Sequence, residues 1–239
     1  MLLLAGCASG GESVTVLAEG DGPPIRAGQV VVTDVDMNVG ARDYLDTIGT
    51  RQPTSAVLDG TQVSRSWDRA LVGRRAGAKV RLVTDSGTAF GPDGRPPANV
   101  SPGERMTVTF DVIGGYDRAA QVAPFTGFTF GGFTPGVSKQ VTGAGPVVGK
   151  GDRVVVQWAG TVWGAEKPFM STFGAGPHGF LVEPGAVLPG WAEALEGARV
   201  GDRVRLNMEP APDPVTPGGL AAPPGVRLSY VFDVLDVAH

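Results

Sequence analysis

The 239 residues contain a single cysteine, Cys7, so no intramolecular disulfide can form. Histidine is nearly as scarce: His178 and His239 are the two present, they stand far apart, and neither belongs to a ligand-spaced cluster of the kind a metal site needs. Charged residues make up 18% and the net charge is −4. No basic patch with interleaved aromatics is present, and this composition speaks against a nucleic-acid surface. No apolar run approaches the roughly 18–20 residues of a membrane span. There is no recognisable Ser-His-Asp arrangement and no carboxylate pair in a known motif, so no cofactor or metal chemistry is expected.

What the chain has in quantity is glycine, 37 residues, and proline, 20 residues. Together they predict many turns between short strands. Around Trp191 the sequence GAVLPGWAEALEGARVGDRVRL (185–206) reads as an apolar loop, a Pro-Gly turn, a short helix stopped by Gly197, a second turn and an alternating strand. The pattern recurs once. Trp67, Ala70, Leu71, Gly73, Gly77, Val80, Arg81 and Leu82 match Trp191, Ala194, Leu195, Gly197, Gly201, Val204, Arg205 and Leu206. Gly20, Gly22, Pro23 and Gly28 likewise match Gly143, Gly145, Pro146 and Gly151. A repeat this long means two domains of one fold, each of ordinary size. The glycine-rich segments precede strands rather than helices, with no GKS or GKT, so they read as hairpin turns and not as phosphate loops.

The expected organisation is a leader and tether at 1–12, a first domain at 13–113, a low-charge linker at 114–136 and a second domain at 137–239. Leu4-Ala5-Gly6-Cys7 looks like a bacterial lipobox, which would make Cys7 the lipidated N-terminus. Six residues are too few for a charged region and an apolar core before it, so the true start is expected upstream. Residues 36–62 read as an irregular insertion with Tyr44 as a core aromatic. MTVTFDV (106–112) and SYVFDVL (229–235) read as matching closing strands. The linker phenylalanines are expected to pack against one domain, since apolar segments seldom stay solvated.

The second half resembles the FKBP-type peptidyl-prolyl isomerases. The resemblance is carried by VVVQWAGTVW (154–163), Pro168-Phe169, GFLVEPGAVLPGW (179–191), EALEGARVGDRVRL (193–206) and YVFDVLDV (230–237). It implies an α+β fold: two tandem FKBP-like domains, each an antiparallel sheet of about five strands wrapped around a short helix. By the same resemblance Trp191 would floor the pocket, and Trp158, Phe169 and Phe232 would wall it. Val187 and Leu188 would line the rim, with the Leu188 amide holding the substrate carbonyl. Taken singly, each of these aromatics reads more readily as core than as site, and only the constellation points to a pocket. In the first domain Val63, Trp67, Phe90 and Phe110 stand at weaker, substrate-binding positions, while Val35 replaces a wall aromatic and Ser64 an apolar rim residue. In the second domain Met170 replaces the family's aspartate, His178 its phenylalanine, and the loop before the last strand lacks the family's tyrosine.

With the lipobox, the tandem arrangement resembles secreted FKBP-type lipoproteins of high-GC Gram-positive bacteria. The implied partners are proline-containing exported polypeptides, with contact to the membrane through an N-terminal lipid only, and the implied chain is a monomer. The expected function is Xaa-Pro isomerisation. The alternative is a non-catalytic proline-peptide-binding or chaperone lipoprotein with degenerate pockets.

Overall fold

The computed structural model describes residues 11–90, 99–101, 103–210 and 225–239. Cys7, most of the 91–102 loop and the 211–224 loop lie outside them. The chain forms two compact units, 1–117 and 118–239.

In the first unit the strands are β1 (Ser13–Ala18), β2 (Val30–Val39), β3 (Arg42–Asp46), β4 (Thr54–Val57), β5 (Lys79–Asp85) and β6 (Arg105–Tyr116). Helices α1 (Thr47–Thr50), α2 (Arg65–Leu71) and α3 (Ser86–Ala89) lie between them. The six-stranded sheet runs β1-β5-β6-β2-β3, with β4 also on β2. In the second unit the strands are β7 (Gly136–Val141), β8 (Arg153–Val162), β9 (Met170–Ser171), β10 (His178–Leu181), β11 (Arg203–Met208) and β12 (Leu228–Ala238), with helix α4 (Trp191–Leu195). Its sheet runs β7-β11-β12-β8-β10, with β9 also on β8. Every pairing is antiparallel. Each sheet is therefore a five-position path whose far edge is shared by two short strands.

The repeat seen in the sequence is a repeat of main-chain hydrogen bonds. Gly22 N–H donates to Ala76 O at 3.1 Å, and Gly145 N–H to Val200 O at 3.0 Å. Gly73 N–H donates to Ile25 O at 2.9 Å, and Gly197 N–H to Val148 O at 2.8 Å. The glycine-rich segments are thus not hairpin turns. β1 and β7 pair with β5 and β11, not with β2 and β8, and each segment crosses the turn that leads into that partner. Glycine is needed because the backbones touch. A Cβ on Gly20 would lie 2.1 Å from Ala76 O, and one on Gly143 would lie 2.3 Å from Val200 O. One difference between the units beside this crossing changes its electrostatics. Ala78 is fully buried in the first. Asp202, just as buried, stands there in the second, and accepts from Gly143 N–H at 2.6 Å, Arg199 N–H at 2.7 Å and Lys139 Nζ at 2.7 Å. Burial pushes its pKa up, but the Lys139 ammonium and the two amides outweigh it and hold the carboxyl below its ordinary value.

Residues 36–62 are ordered strand and helix rather than an irregular insertion. Asp36–Val39 continue β2, and β3, α1 and β4 follow. Tyr44 is not core: every residue of β3 is exposed, Tyr44 by 37%. The alternation that would mark these strands is hidden by the Asp and Asn residues within them and the Gly and Pro residues beside them.

β6 continues through Gly114 and Gly115 to Tyr116. From 118 the chain lies as a strap over the second sheet, on the face away from α4. Gln157 Nε2 donates to Arg118 O at 2.8 Å, Arg205 Nη1 to Thr129 O at 2.7 Å, and Asn207 Nδ2 to Thr134 O at 3.0 Å. Arg203 pairs with the buried Asp233, and Asp233 also accepts from Val122 N–H at 2.8 Å. The guanidinium of Arg205, 8% exposed, sits 5.1 Å from the Trp163 ring and 5.4 Å from that of Phe130. No carboxylate pairs with it among the described residues, so ring faces supply the compensating charge.

Candidate active site

Three strands, a loop and a helix bring the second unit's aromatics together. Trp158 is on β8, opposite Phe232 on β12. Tyr230 lies two residues before Phe232 and so on the same face. Trp191 opens α4, which Gly190 enters at φ +83°. Its indole lies 4.9 Å from Trp158, 4.8 Å from Phe232, 5.3 Å from Tyr230 and 5.4 Å from Phe180, edge to face in each case. Such contacts add about 0.5–1.5 kcal/mol each beyond area burial. Phe169, partly buried, meets Tyr230 at 6.1 Å. Gly160 lies beneath both rings: a Cβ there would fall 2.7 Å from Phe169 Cζ and from Tyr230 Cε1.

The structure thus brings Trp158, Phe169, Trp191 and Phe232 into one cluster, with Val187 and Leu188 partly buried against it. Trp158 and Trp191 are each 1% exposed, so floor and wall are also core. Their indole Nε1 atoms have no acceptor among the described residues. The Leu188 carbonyl accepts from Trp191 N–H at 3.0 Å, while its own amide has no acceptor among the described residues. Met170 pairs with Gly160 across the strands, so no carboxylate reaches the cluster from β9. His178 is exposed at the start of β10, its ring 6.3 Å from Phe180.

Three contributors went unread in the sequence. Tyr230 is the central one. It is 1% exposed, and burial pushes its phenol up to about 12. The period-two spacing of Tyr230 and Phe232 was the available signal. Phe180 stands in the sequence only inside the motif GFLVEPGAVLPGW, with nothing to single it out. Thr172 carried no signal: its hydroxyl accepts from Trp158 N–H at 2.8 Å and donates to Trp158 O at 3.2 Å, and its amide donates to the same carbonyl at 2.9 Å.

The first unit repeats the frame with fewer rings. Trp67 and Phe110 meet at 4.7 Å, and Val63 and Phe90 pack partly buried against that core. Val35 faces Phe110 as Trp158 faces Phe232. Leu45 faces Met37 as Met170 faces Gly160, which puts Tyr44 at the place of Phe169. Tyr44 turns outward and meets Phe90 edge-on at 5.5 Å. Thr47 Oγ1 accepts from Val35 N–H at 2.6 Å, repeating the Thr172 contact. Ser64 is buried, and its hydroxyl has no partner among the described residues.

Two sheets, each wrapped on a short helix whose first turn carries a tryptophan, with a loop rim above an aromatic floor, define a proline-isomerase architecture in duplicate. The family model described as FKBP-type peptidyl-prolyl cis-trans isomerase matches residues 22–113 and 145–213. It covers more than half of the chain, which therefore belongs to that family. A protein of Streptomyces anulatus named "FK506-binding protein" is 31% identical over 111 residues, 44% of this chain and 90% of its own. The crystal structure of the three FKBP domains of wheat FKBP73 matches at 16% identity with a TM-score of 0.39, over 95% of both chains. A peptidyl-prolyl cis-trans isomerase of Pseudomonas syringae matches at 24% identity and a TM-score of 0.36, over 43% of this chain and 74% of that one. Among the described residues no helix is long and apolar enough to cross a membrane.

Proposed function

We propose that the second unit isomerises Xaa-Pro bonds in exported polypeptides, and that the chain is held at the membrane by a lipid on Cys7. Amide resonance sets a rotation barrier of ~18–20 kcal/mol, and uncatalysed exchange takes tens of seconds or more. Rotation passes through a twisted state with less charge separation than the planar amide. An apolar, water-poor pocket favours that state, so neither nucleophile nor metal is required. The proline ring would rest on Trp191 between Phe169 and Phe232, with Trp158 behind. The Leu188 amide, without an acceptor among the described residues, would hold the substrate carbonyl. The aromatic cluster centred on Trp191, with Leu188 at its rim, is the observation that carries this reading.

A second reading is capture of proline segments without turnover. Met170 in the family's carboxylate position and the enclosure of both tryptophans favour it.

The test is exchange spectroscopy of a short Xaa-Pro peptide with the full chain. Phe169→Ala and a Trp191→Leu variant checked for folding serve as controls. Acceleration lost in both variants supports the enzyme. A folded wild type that binds the peptide without accelerating exchange supports capture, and one that does neither ends both readings. Membrane release of a Cys7→Ser protein in a Gram-positive host is the expected sign of the anchor, and unchanged retention would remove it from the account.

A further inference from the structure

The strap and the pocket lie on opposite faces of the second sheet, yet a short run of contacts joins them. Phe125 of the strap stacks on Phe173, with ring centroids 4.3 Å apart and planes 18° apart. The Arg203 guanidinium lies 5.6 Å from one ring and 5.7 Å from the other, so it closes on the stacked pair. Its Nη2 donates to Ala123 O in the strap and, at 2.8 Å, to Asp233, the neighbour of Phe232. Phe173 directly follows Thr172. The Thr172 hydroxyl and amide take up both backbone groups of Trp158. Ala175 and Gly176 in turn donate to Thr172 O at 2.8 and 3.0 Å, which ties the 172–176 turn together. Arg118 Nε, at the start of the strap, donates to Ala175 O at 3.2 Å. The turn that fixes Trp158 is therefore gripped by the strap at two places.

We propose that the strap is a working part of the second pocket: Phe125 on the outer face and Thr172 within the sheet edge are positioning residues that set the place of Trp158. Thr172 does this directly, through hydrogen bonds to the Trp158 backbone. Phe125 does it at one remove, by holding the turn that carries Thr172. The first unit keeps the inner half of the device, Thr47 on Val35.

The test uses the full chain and reads the Trp158 backbone amide by NMR hydrogen exchange, alongside Xaa-Pro exchange of a short peptide. Phe125 is partly exposed, so Phe125→Ala spares the core. It is expected to speed Trp158 amide exchange by roughly threefold to tenfold, the worth of one weakened hydrogen bond. Thr172→Val should do the same, Thr172→Ser should stay near wild type, and the Phe125→Ala/Thr172→Val double variant should add little to either single change. Phe133→Ala loosens the strap elsewhere, where Phe133 meets Trp163 and Arg227. It should leave Trp158 as it is. A wild-type Trp158 amide in Phe125→Ala overturns the proposal, as does an equal effect of Phe133→Ala, since both would mean the strap only covers the sheet. The amide readout does not depend on catalysis. The peptide arm rests on the isomerase reading, and a wild type without activity would remove that reading while the amide still decides this one.

Discussion

The two units share a skeleton and differ in where they keep their rings. In the second, Trp158, Trp191, Tyr230 and Phe232 are all within 1% of full burial. In the first, Val35 and Val108 stand at the places of Trp158 and Tyr230, and both are fully buried. Of the other aromatic side chains there, Tyr44 is exposed and meets Phe90, which packs partly buried against the core. The main-chain hydrogen bonds at the crossings recur in both, and Thr47 repeats one of the three contacts that Thr172 makes. Aliphatic residues thus suffice to build the fold, and the extra rings of the second unit are what a proline-sized apolar site would use. The first unit offers one exposed ring, Tyr44, edge-on to a half-buried one, Phe90, an arrangement suited to brief contact with a peptide rather than to enclosing one.

The sharpest way to break this contrast is to give the second unit the first unit's residue. Tyr230→Val leaves a hole beside Trp191 and should cost about 2–4 kcal/mol, with the Trp emission shifted to longer wavelength. A denaturant melt showing under about 1 kcal/mol would mean the ring is not a core member. Next comes Asp202, for which the first unit has Ala78. Its folded pKa lies below the unfolded value, so its contribution is complete above about pH 4 and is lost as pH falls through the folded value. Asp202→Asn should cost about 1–3 kcal/mol at neutral pH by losing charge-assisted hydrogen bonds, and should flatten the acid limb of the second unit's melt. An unchanged acid limb would assign acid sensitivity elsewhere. The smallest expected effect is Tyr44→Ala. The side chain is exposed, so stability should move by no more than about 0.5 kcal/mol. Peptide-induced shifts around Phe90 should nonetheless shrink. Shifts of wild-type size would remove Tyr44 from any binding role.

Much of this was readable from the chain, and the reasons are particular. Glycine at 20, 143, 73 and 197 marks places where backbones touch or a helix must stop, and such demands leave few alternatives. Those positions revealed the duplication. Trp158, Trp191 and Phe232 could be picked out because they sit inside a dense motif. Tyr230 was passed over beside Phe232 although the strand period puts both on one face. β3 could not be read, since its exposed Arg and Asp residues erase the alternation that burial writes into other strands, and β4 is only four residues long. Thr172 could not be read either: one hydroxyl bridging two backbone groups leaves no pattern. For the strap, the phenylalanines signalled packing, but its partners are outward arginines of β11, which look like any solvent-facing charges until their counterparts are in place.

The order of strands has a consequence for how each unit comes to exist. In both sheets the strand made last, β6 or β12, is an inner one, flanked by β5 and β2 or by β11 and β8. Everything synthesised before it can gather only as two separate edges. A chain emerging from one end, whether from a ribosome or a secretion pore, must therefore hold each unit open until nearly its final residues arrive. Assembly is then ruled by contacts distant in sequence and is slow for the unit's size. While it waits, both faces of a future strand position stay open to whatever else can pair there.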